Sequence, residues 1–106
     1  MINKKILGLI GLAARARKIC FGADSVEEKT KKNKVKIMII AEDASNRTKE
    51  KFIKLAENNN IKFIILSNIE NLSKAIGKEN KAIIGVEDIN LANEIKKIYN
   101  GGDIIG

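Results

Sequence analysis

Short apolar segments alternate with segments of helical periodicity along the whole chain, and this alternation constrains the fold more than any other feature. A first helix is predicted by apolar residues spaced three and four apart, namely Ile2, Ile6, Leu9, Ile10, Ala13 and Ala16. Ile37-Met38-Ile39-Ile40 is a continuous apolar run, which is typical of a strand buried on both faces. Helices that alternate with short buried strands predict a mainly parallel or mixed sheet with helices on both faces. We therefore expect an α/β protein, a three-layer α/β/α sandwich.

The remaining segments continue the same alternation. Further strands are predicted at residues 18–21, as an edge strand, and at residues 61–66 and 81–86. Further helices are predicted from Asp24, around Phe52, and at residues 69–76 and 88–99, and Asn58-Asn59-Asn60 ends the helix around Phe52. A chain of 106 residues accommodates one domain, which we place at residues 1–100, followed by a flexible C-terminal tail at residues 101–106.

The start of the second helix carries a capping signature. Asp24 and Ser25 are good N-cap residues, and each has a glutamate three positions later, Glu27 and Glu28. We expect a capping box at this point. Within the helix only Val26 and Thr30 are suited to face the core, so the helix is predicted to lie mostly exposed.

The composition excludes several classes of chemistry. The chain has no histidine, which removes Ser-His-Asp triads, Cys-His pairs and histidine metal sites. Its single cysteine, Cys20, excludes disulfide frameworks and cysteine-rich zinc sites and is predicted to be a buried hydrophobe. No apolar run approaches the ~20 residues that cross a bilayer. Arg15, Arg17 and Lys18 stand where a signal peptide would have its cleavage site, so we expect a cytoplasmic protein.

Two acidic pairs are the best candidates for catalysis. Glu42-Asp43 and Glu87-Asp88 each follow a predicted buried strand, where carboxylates could hold a magnesium ion or accept a phosphoryl group. The alternative, which we favour, is that Asp43 or Ser45, and Asp88, cap the helices that begin there. The Gly8-Leu9-Ile10-Gly11 segment is interpreted as helix packing rather than a phosphate loop. No residue is identified as a nucleophile with a base beside it, and we expect no metal and no cofactor.

The basic residues are more informative. The formal net charge is +7, and five of the eight residues from 29 to 36 are lysines. Arg17 and Lys18 precede Gly22, which opens the turn into the second helix. A helix N-terminus flanked by cations attracts phosphate groups, whereas a solvated lysine face is the alternative interpretation.

Four sequence blocks, in this order, resemble a known family. They begin with residues 8–18 and 22–26, continue with Ile40-Ala41-Glu42-Asp43-Ala44-Ser45, and end with Leu72-Ser73-Lys74-Ala75-Ile76-Gly77-Lys78-Glu79. Over nearly its whole length the chain resembles the kink-turn-binding L7Ae ribosomal-protein superfamily, and within it the bacterial YlxQ type. The resemblance implies an α/β/α sandwich around a four-stranded mixed sheet, without enzymatic activity. It also implies that the first turn of the second helix enters the widened major groove of a kinked RNA, next to tandem sheared G·A pairs.

Individual site residues follow from the resemblance. Gly22 matches the family's loop glycine, whereas Asp24, Ser25 and Glu28 stand where the family has Asn, Glu and Lys. The loop before the last strand, which in the family covers an extruded nucleotide, corresponds here to residues 77–80. The predicted RNA-binding residues are Arg17, Lys18, Gly22, Ala23, Asp24, Ser25, Glu28, Lys29, Lys32, Gly77, Lys78, Glu79 and Asn80.

The expected function is therefore non-catalytic binding of structured RNA of the kink-turn or internal-loop class, by a ribosome-associated factor. The expected partners are ribosomal or other kink-turn-containing RNA and the ribosome, with no membrane, and we expect a monomer. One alternative is a protein-interaction module with a degenerate RNA site, because the Asn-Glu-Lys triplet is altered. The other is a small α/β phosphate- or magnesium-binding enzyme that uses Glu42 and Asp43.

Overall fold

Helices and strands alternate as the sequence predicts. The computed structural model describes the backbone of residues 2–105 and the side chains of residues 3–100. The elements in chain order are α1 (Ile2–Arg15), β1 (Ile19–Phe21), α2 (Ala23–Lys31), β2 (Ile37–Ile40), α3 (Asn46–Asn58), β3 (Lys62–Ile65), α4 (Ile69–Ala75), β4 (Ile83–Val86) and α5 (Ile89–Ile105). Within the described range, no helix is long and apolar enough to cross a membrane.

The four strands form one mixed sheet in the order β1-β4-β2-β3, so that β1 is an edge strand as predicted. Strand β2 pairs in parallel with β3, and β4 is antiparallel to both β1 and β2. Strands β1, β2 and β3 therefore run in one direction. We call the sheet end where these three strands finish and β4 begins the Gly22 end. The opposite end, where Lys36 precedes β2, is called the Lys36 end.

The sheet lies between two groups of helices, which confirms the three-layer α/β/α sandwich. Helices α2 and α3 contact each other and the sheet, while α1 contacts both α4 and α5, and α5 contacts β4. All four residues of β2 are buried, because both faces of this strand are covered. Val26 and Thr30 are the buried residues of α2, as predicted. Gly11 lies within α1 at its contact with α4, where an added Cβ would come 3.3 Å from the carbonyl oxygen of Ala75, which supports the packing interpretation.

Helices α1 to α4 all end in the same turn. One residue with positive φ follows each helix: Arg17 at 60°, Asn33 at 62°, Asn60 at 56° and Gly77 at 70°. In each case the amide of the positive-φ residue and the amide of the residue after it donate to carbonyl groups of the last helical turn. This is the pattern of a Schellman motif. Each helix therefore stops at a fixed point and the chain turns toward the following strand.

The capping box predicted at the start of α2 is wrong. The N-cap residue is Gly22, and in the described structure no side chain caps this helix. Gly22 has φ 85° and ψ 157°, a combination that is accessible essentially only to glycine. The helix thus starts at Ala23, and Asp24 lies inside its first turn, where an acidic side chain complements the helix dipole. Glu27 and Glu28 instead form ion pairs with lysines one turn later, Lys31 and Lys32.

The last helix is longer than predicted. Helix α5 extends to Ile105, whereas the sequence pattern placed its end at Tyr99. Gly101 and Gly102 have a helical backbone, because two glycines lower helix propensity without forbidding the conformation. The flexibility of the tail stays a prediction, and Gly106 lies outside the described residues.

Candidate functional site

The two segments predicted to form a site adjoin each other at the Gly22 end of the sheet. Antiparallel pairing of β1 with β4 places the turn after β1 beside the loop that precedes β4. The Gly22 amide donates to the Ile83 carbonyl at 3.0 Å. The ammonium groups of Lys78 and Lys81 lie 5.4 and 5.5 Å from the centre of the Phe21 ring, within range of a cation–π interaction. Residues 22–25 and 77–80 therefore form one surface.

The loop of residues 77–81 is held by a single serine side chain. Ser73 is 2% exposed, and its hydroxyl accepts from the Lys81 amide at 2.7 Å and donates to the Lys81 carbonyl at 3.3 Å. Its carbonyl accepts from the Lys78 amide at 2.8 Å. Both ends of the loop are thus fixed to α4, and Gly77 has a structural role as the positive-φ residue of the helix end.

The start of α2 is open to solvent. The first helical hydrogen bond runs from the Val26 amide to the Gly22 carbonyl, so the amides of Ala23, Asp24 and Ser25 have no acceptor within the helix. A Cβ built on Gly22 would meet no described atom within 4 Å. An acceptor atom of a ligand can therefore approach these amides.

The structure separates Arg17, Lys18, Lys29 and Lys32 from this surface, whereas Glu28 lies on α2 about one turn beyond Ser25. Arg17 and Lys18 lie at the other end of β1, where the Lys18 carbonyl accepts from the Glu87 amide at 2.7 Å. Lys29 faces Glu87, with its Nζ 3.9 Å from Oε2. Lys32 pairs with Glu28 at 3.1 Å on the exposed side of α2. Lys29 is thus engaged by the protein itself.

Three residues of the surface were not among those predicted: Phe21, Ser73 and Lys81. Phe21 places two ammonium groups beside Gly22, and Ser73 fixes the loop that carries them. Lys81 lies two residues before β4, in the loop, whereas the sequence pattern places it inside a strand at residues 81–86. The contact between Phe21 and Lys78 could be predicted only with the strand order, which places β1 beside β4.

A groove of about 530 Å³ lies beside the loop, and its charge is mixed. Its lining includes three carboxylates, on Asp43, Glu70 and Glu79, and two ammonium groups, on Lys74 and Lys78. Opposite charges interspersed in this way do not select an isolated small anion. The groove is better suited to a ligand with both donors and acceptors.

The aspartate of each acidic pair, Asp43 or Asp88, accepts a hydrogen bond from an amide in the first turn of a helix. Ser45 Oγ accepts from the Thr48 amide at 3.1 Å and Asp88 Oδ1 accepts from the Leu91 amide at 2.9 Å, which confirms these two caps. Asp43 Oδ1 accepts from the Ile69 amide at 2.8 Å, so Asp43 serves α4 rather than α3. Among the described residues, no group of three potential metal ligands occurs.

Cys20 is buried in β1, at 4% exposure, as predicted. Burial, and secondarily the negative charge of Glu87, raise the pKa of its thiol to about 12, whereas Lys29 acts in the opposite direction. The thiol is therefore neutral at physiological pH and is a poor nucleophile.

The chain is similar to bacterial proteins of known type. It is 31% identical over 87 residues to the RNA-binding protein YlxQ of Bacillus subtilis, covering 82% of this chain and 87% of that protein. It is 31% identical over 99 residues to the RNA-binding protein YlxQ of Enterococcus faecium, covering 93% of this chain and 95% of that protein. Both names describe binding rather than catalysis, which confirms the expectation that the protein is not an enzyme.

Solved structures share the fold. A protein of unknown function from Bacillus halodurans superposes with a TM-score of 0.87 at 31% identity, covering 91% of this chain and 97% of that one. The Giardia lamblia 15.5kD RNA binding protein superposes with a TM-score of 0.79 at 18% identity, covering 93% and 88%. At the sequence level, residues 4–96 match the ribosomal protein L7Ae/L30e/S12e/Gadd45 family. The chain belongs to this family, as a bacterial member of the YlxQ type.

Proposed function

We propose that the protein binds structured RNA without catalysis, through the surface formed by residues 22–25 and 77–80. The observation that carries the proposal is the junction of these two segments around Phe21, with two lysines held beside an open helix start. The relatives from Bacillus subtilis and Enterococcus faecium, which are named RNA-binding proteins, support the same function.

The chemistry of the surface favours an RNA with a distorted backbone. The open amides of Ala23, Asp24 and Ser25 offer donors to RNA acceptor atoms, and Lys78 and Lys81 attract phosphates. The regular major groove of an RNA helix is too deep and narrow for a protein helix, so a widened groove is required. We infer a kink-turn or internal-loop RNA, bound by a monomer in the cytoplasm as a ribosome-associated factor.

A second candidate is a protein-interaction module on the same fold. It is favoured by Asp24 and Glu28, acidic residues where the family has Asn and Lys, and by the three carboxylates of the neighbouring groove. Carboxylates at these positions repel RNA phosphates and suit a basic protein segment. RNA binding and its dependence on Lys78 and Lys81 distinguish the two candidates.

The test compares two RNAs of equal length, one with a kink-turn and one fully paired, over a range of salt concentrations. We expect at least tenfold tighter binding of the kink-turn RNA, a difference of about 1.4 kcal/mol. The double variant Lys78→Gln/Lys81→Gln should lose most of this preference. Its log–log salt slope should be shallower by about 1.4–1.8, since each phosphate contact contributes about 0.7–0.9.

The matched control is Lys49→Gln/Lys54→Gln, which removes the same charge from α3. It should leave the preference for the kink-turn RNA intact. Equal affinity for the two RNAs, or equal losses in the two double variants, would contradict a specific site at the Gly22 end. Absence of RNA binding at low salt would leave the protein-interaction module as the function of this surface.

A further inference from the structure

A second groove, of about 280 Å³, lies at the Lys36 end of the sheet, and its charged lining is entirely basic. Lys36, Lys62 and Lys96 line it, together with Asn33, Asn60 and the half-exposed Ile89. No described carboxylate belongs to the lining, and among the described side chains these three lysines make no ion pair. The Lys36 ammonium donates to the Asn33 carbonyl at 3.1 Å, which holds it at the rim.

The sheet topology concentrates these cations. Strands β1, β2 and β3 run in the same direction, and a lysine stands at the start of each: Lys18, Lys36 and Lys62. Ile37 and Lys62 are register partners on neighbouring strands, which lie about 5 Å apart, so Lys36 and Lys62 are close neighbours at this end. Lys96 comes from α5, whose first turn also borders the groove through Ile89.

The acidic pair that follows β4, Glu87-Asp88, contacts other groups of the protein. Glu87 faces Lys29, and Asp88 accepts from the Leu91 amide as the cap of α5. Helices α2 and α3 end here as well, but carbonyls of their last turns accept from the turn amides that follow. Among the described side chains, no carboxylate therefore forms an ion pair with the three lysines of the groove.

The grooves at the two ends of the sheet differ in charge. The groove beside residues 77–80 has three carboxylates and two lysines, whereas the groove at the Lys36 end has three lysines and no described carboxylate. A solvated lysine face alone would not place lysines from three different elements around one depression.

We propose that the Lys36 end is a second RNA-contact surface, which binds the phosphate backbone of an RNA segment adjacent to the one at the Gly22 end. The inference rests on the proposed RNA binding and adds a site to it. The two surfaces lie at opposite ends of the sheet in a molecule of 34 × 28 × 28 Å, so an RNA that reaches both must follow the outside of the protein from one end of the sheet to the other. Ammonium groups without further base-reading side chains confer affinity and salt dependence rather than sequence specificity.

The test measures RNA affinity against salt for the triple variant Lys36→Gln/Lys62→Gln/Lys96→Gln. If the three lysines contact three phosphates, the log–log slope should become shallower by about 2.1–2.7. The preference for a kink-turn over a paired RNA should be retained, because the Gly22 end is unchanged. The matched control Lys5→Gln/Lys49→Gln/Lys54→Gln removes the same charge from α1 and α3 and should change the slope much less.

The outcomes separate this inference from the proposed function. If the protein binds RNA and both triple variants alter the slope equally, the second surface is ruled out while the proposed function stands. A different result is that Lys78→Gln/Lys81→Gln has no effect while the Lys36 triple variant abolishes RNA binding. In that case the Gly22 end is not an RNA-contact surface, whereas the Lys36 end is. Amide chemical-shift changes of Lys36, Lys62 and Ile89 on adding RNA provide a direct check, and unchanged shifts at these residues would also overturn the inference.

Discussion

At the residue scale, each of the helices α1 to α4 is terminated by the backbone conformation of one residue. Four helices end at a residue with φ near +60°, and three of these residues are asparagine or glycine, which tolerate that conformation. The fourth is Arg17, at φ 60°. A side chain with a Cβ costs roughly 1–2 kcal/mol in this region. The turn between α1 and β1 is therefore strained at Arg17. The strain is smaller at Asn33 and Asn60 and absent at Gly77, which has no Cβ.

Replacing Arg17 with glycine is expected to stabilise the protein. The relief of strain exceeds the added freedom of the unfolded chain, so the free energy of unfolding should rise by about 0.5–1 kcal/mol. Urea-induced unfolding measures the change. Arg17→Ala removes the same side chain but keeps the Cβ, and it should give no gain; equal stabilities of the two variants would show that the turn is unstrained.

At the scale of elements, α2 combines a solvated face with one partly buried ion pair, in which the side chains of Lys29 and Glu87 are 35% and 18% exposed. Lys31 and Lys32 pair with Glu27 and Glu28 at the surface, both at 3.1 Å. Lys29 instead faces Glu87, whose Oε2 is buried and, among the described atoms, has no hydrogen-bond donor. An isolated buried carboxylate is unfavourable, so the ammonium group 3.9 Å away compensates for its charge.

The lysines of α2 are therefore expected to differ in their effect on stability. Lys29→Met should lower the free energy of unfolding by about 1–2 kcal/mol, because it leaves the Glu87 charge without compensation. Adding Glu87→Gln should recover most of the loss. Lys32→Met, which removes an exposed pair of the same helix, should cost no more than about 0.5 kcal/mol in the same thermal or urea unfolding experiment. Similar costs for the Lys29 and Lys32 variants would exclude a structural role for Lys29.

The sequence predicted the elements well because their signals are local. The apolar run of β2 and the periodicity of α1 depend only on neighbouring residues, and both were placed within a residue or two. The predicted N-cap of α2 was wrong, because the true N-cap residue, Gly22, donates a hydrogen bond to Ile83, which is distant in the sequence. The contact of Lys29 with Glu87 could not be predicted for the same reason, because the sheet brings these distant residues together; the RNA-binding role of Lys29 stays a prediction.

At the scale of the whole molecule, the strand order decides where charge accumulates. The sequence contains a run of lysines from 29 to 36, and composition alone suggests that this run is the basic surface. In the fold, three lysines of the run face glutamates, while Lys36 joins Lys62 and Lys96 from distant segments. Net charge therefore does not identify a site, and a test must separate location from bulk charge.

Glu28 provides such a test at the Gly22 end. It lies on the exposed side of α2 six residues after Gly22, at the position where the family resemblance implies a lysine. At about 0.1 M salt, where the Debye length is about 10 Å, Glu28→Lys should tighten binding of a kink-turn RNA about five- to eightfold and steepen the salt slope by about 0.7–0.9, since it adds one phosphate contact. It should also lower the free energy of unfolding by about 0.5–1 kcal/mol, because the pair with Lys32 becomes a like-charge pair.

The control for this variant is Glu50→Lys on α3, which raises the formal net charge from +7 to +9 in the same way. Glu50 is exposed and lies outside both proposed contact surfaces. Because screened charges far from the RNA contribute little at moderate salt, Glu50→Lys should leave the affinity within a factor of about two. Equal gains for the two variants would mean that bulk positive charge attracts the RNA, and the first turn of α2 could not then be its binding site.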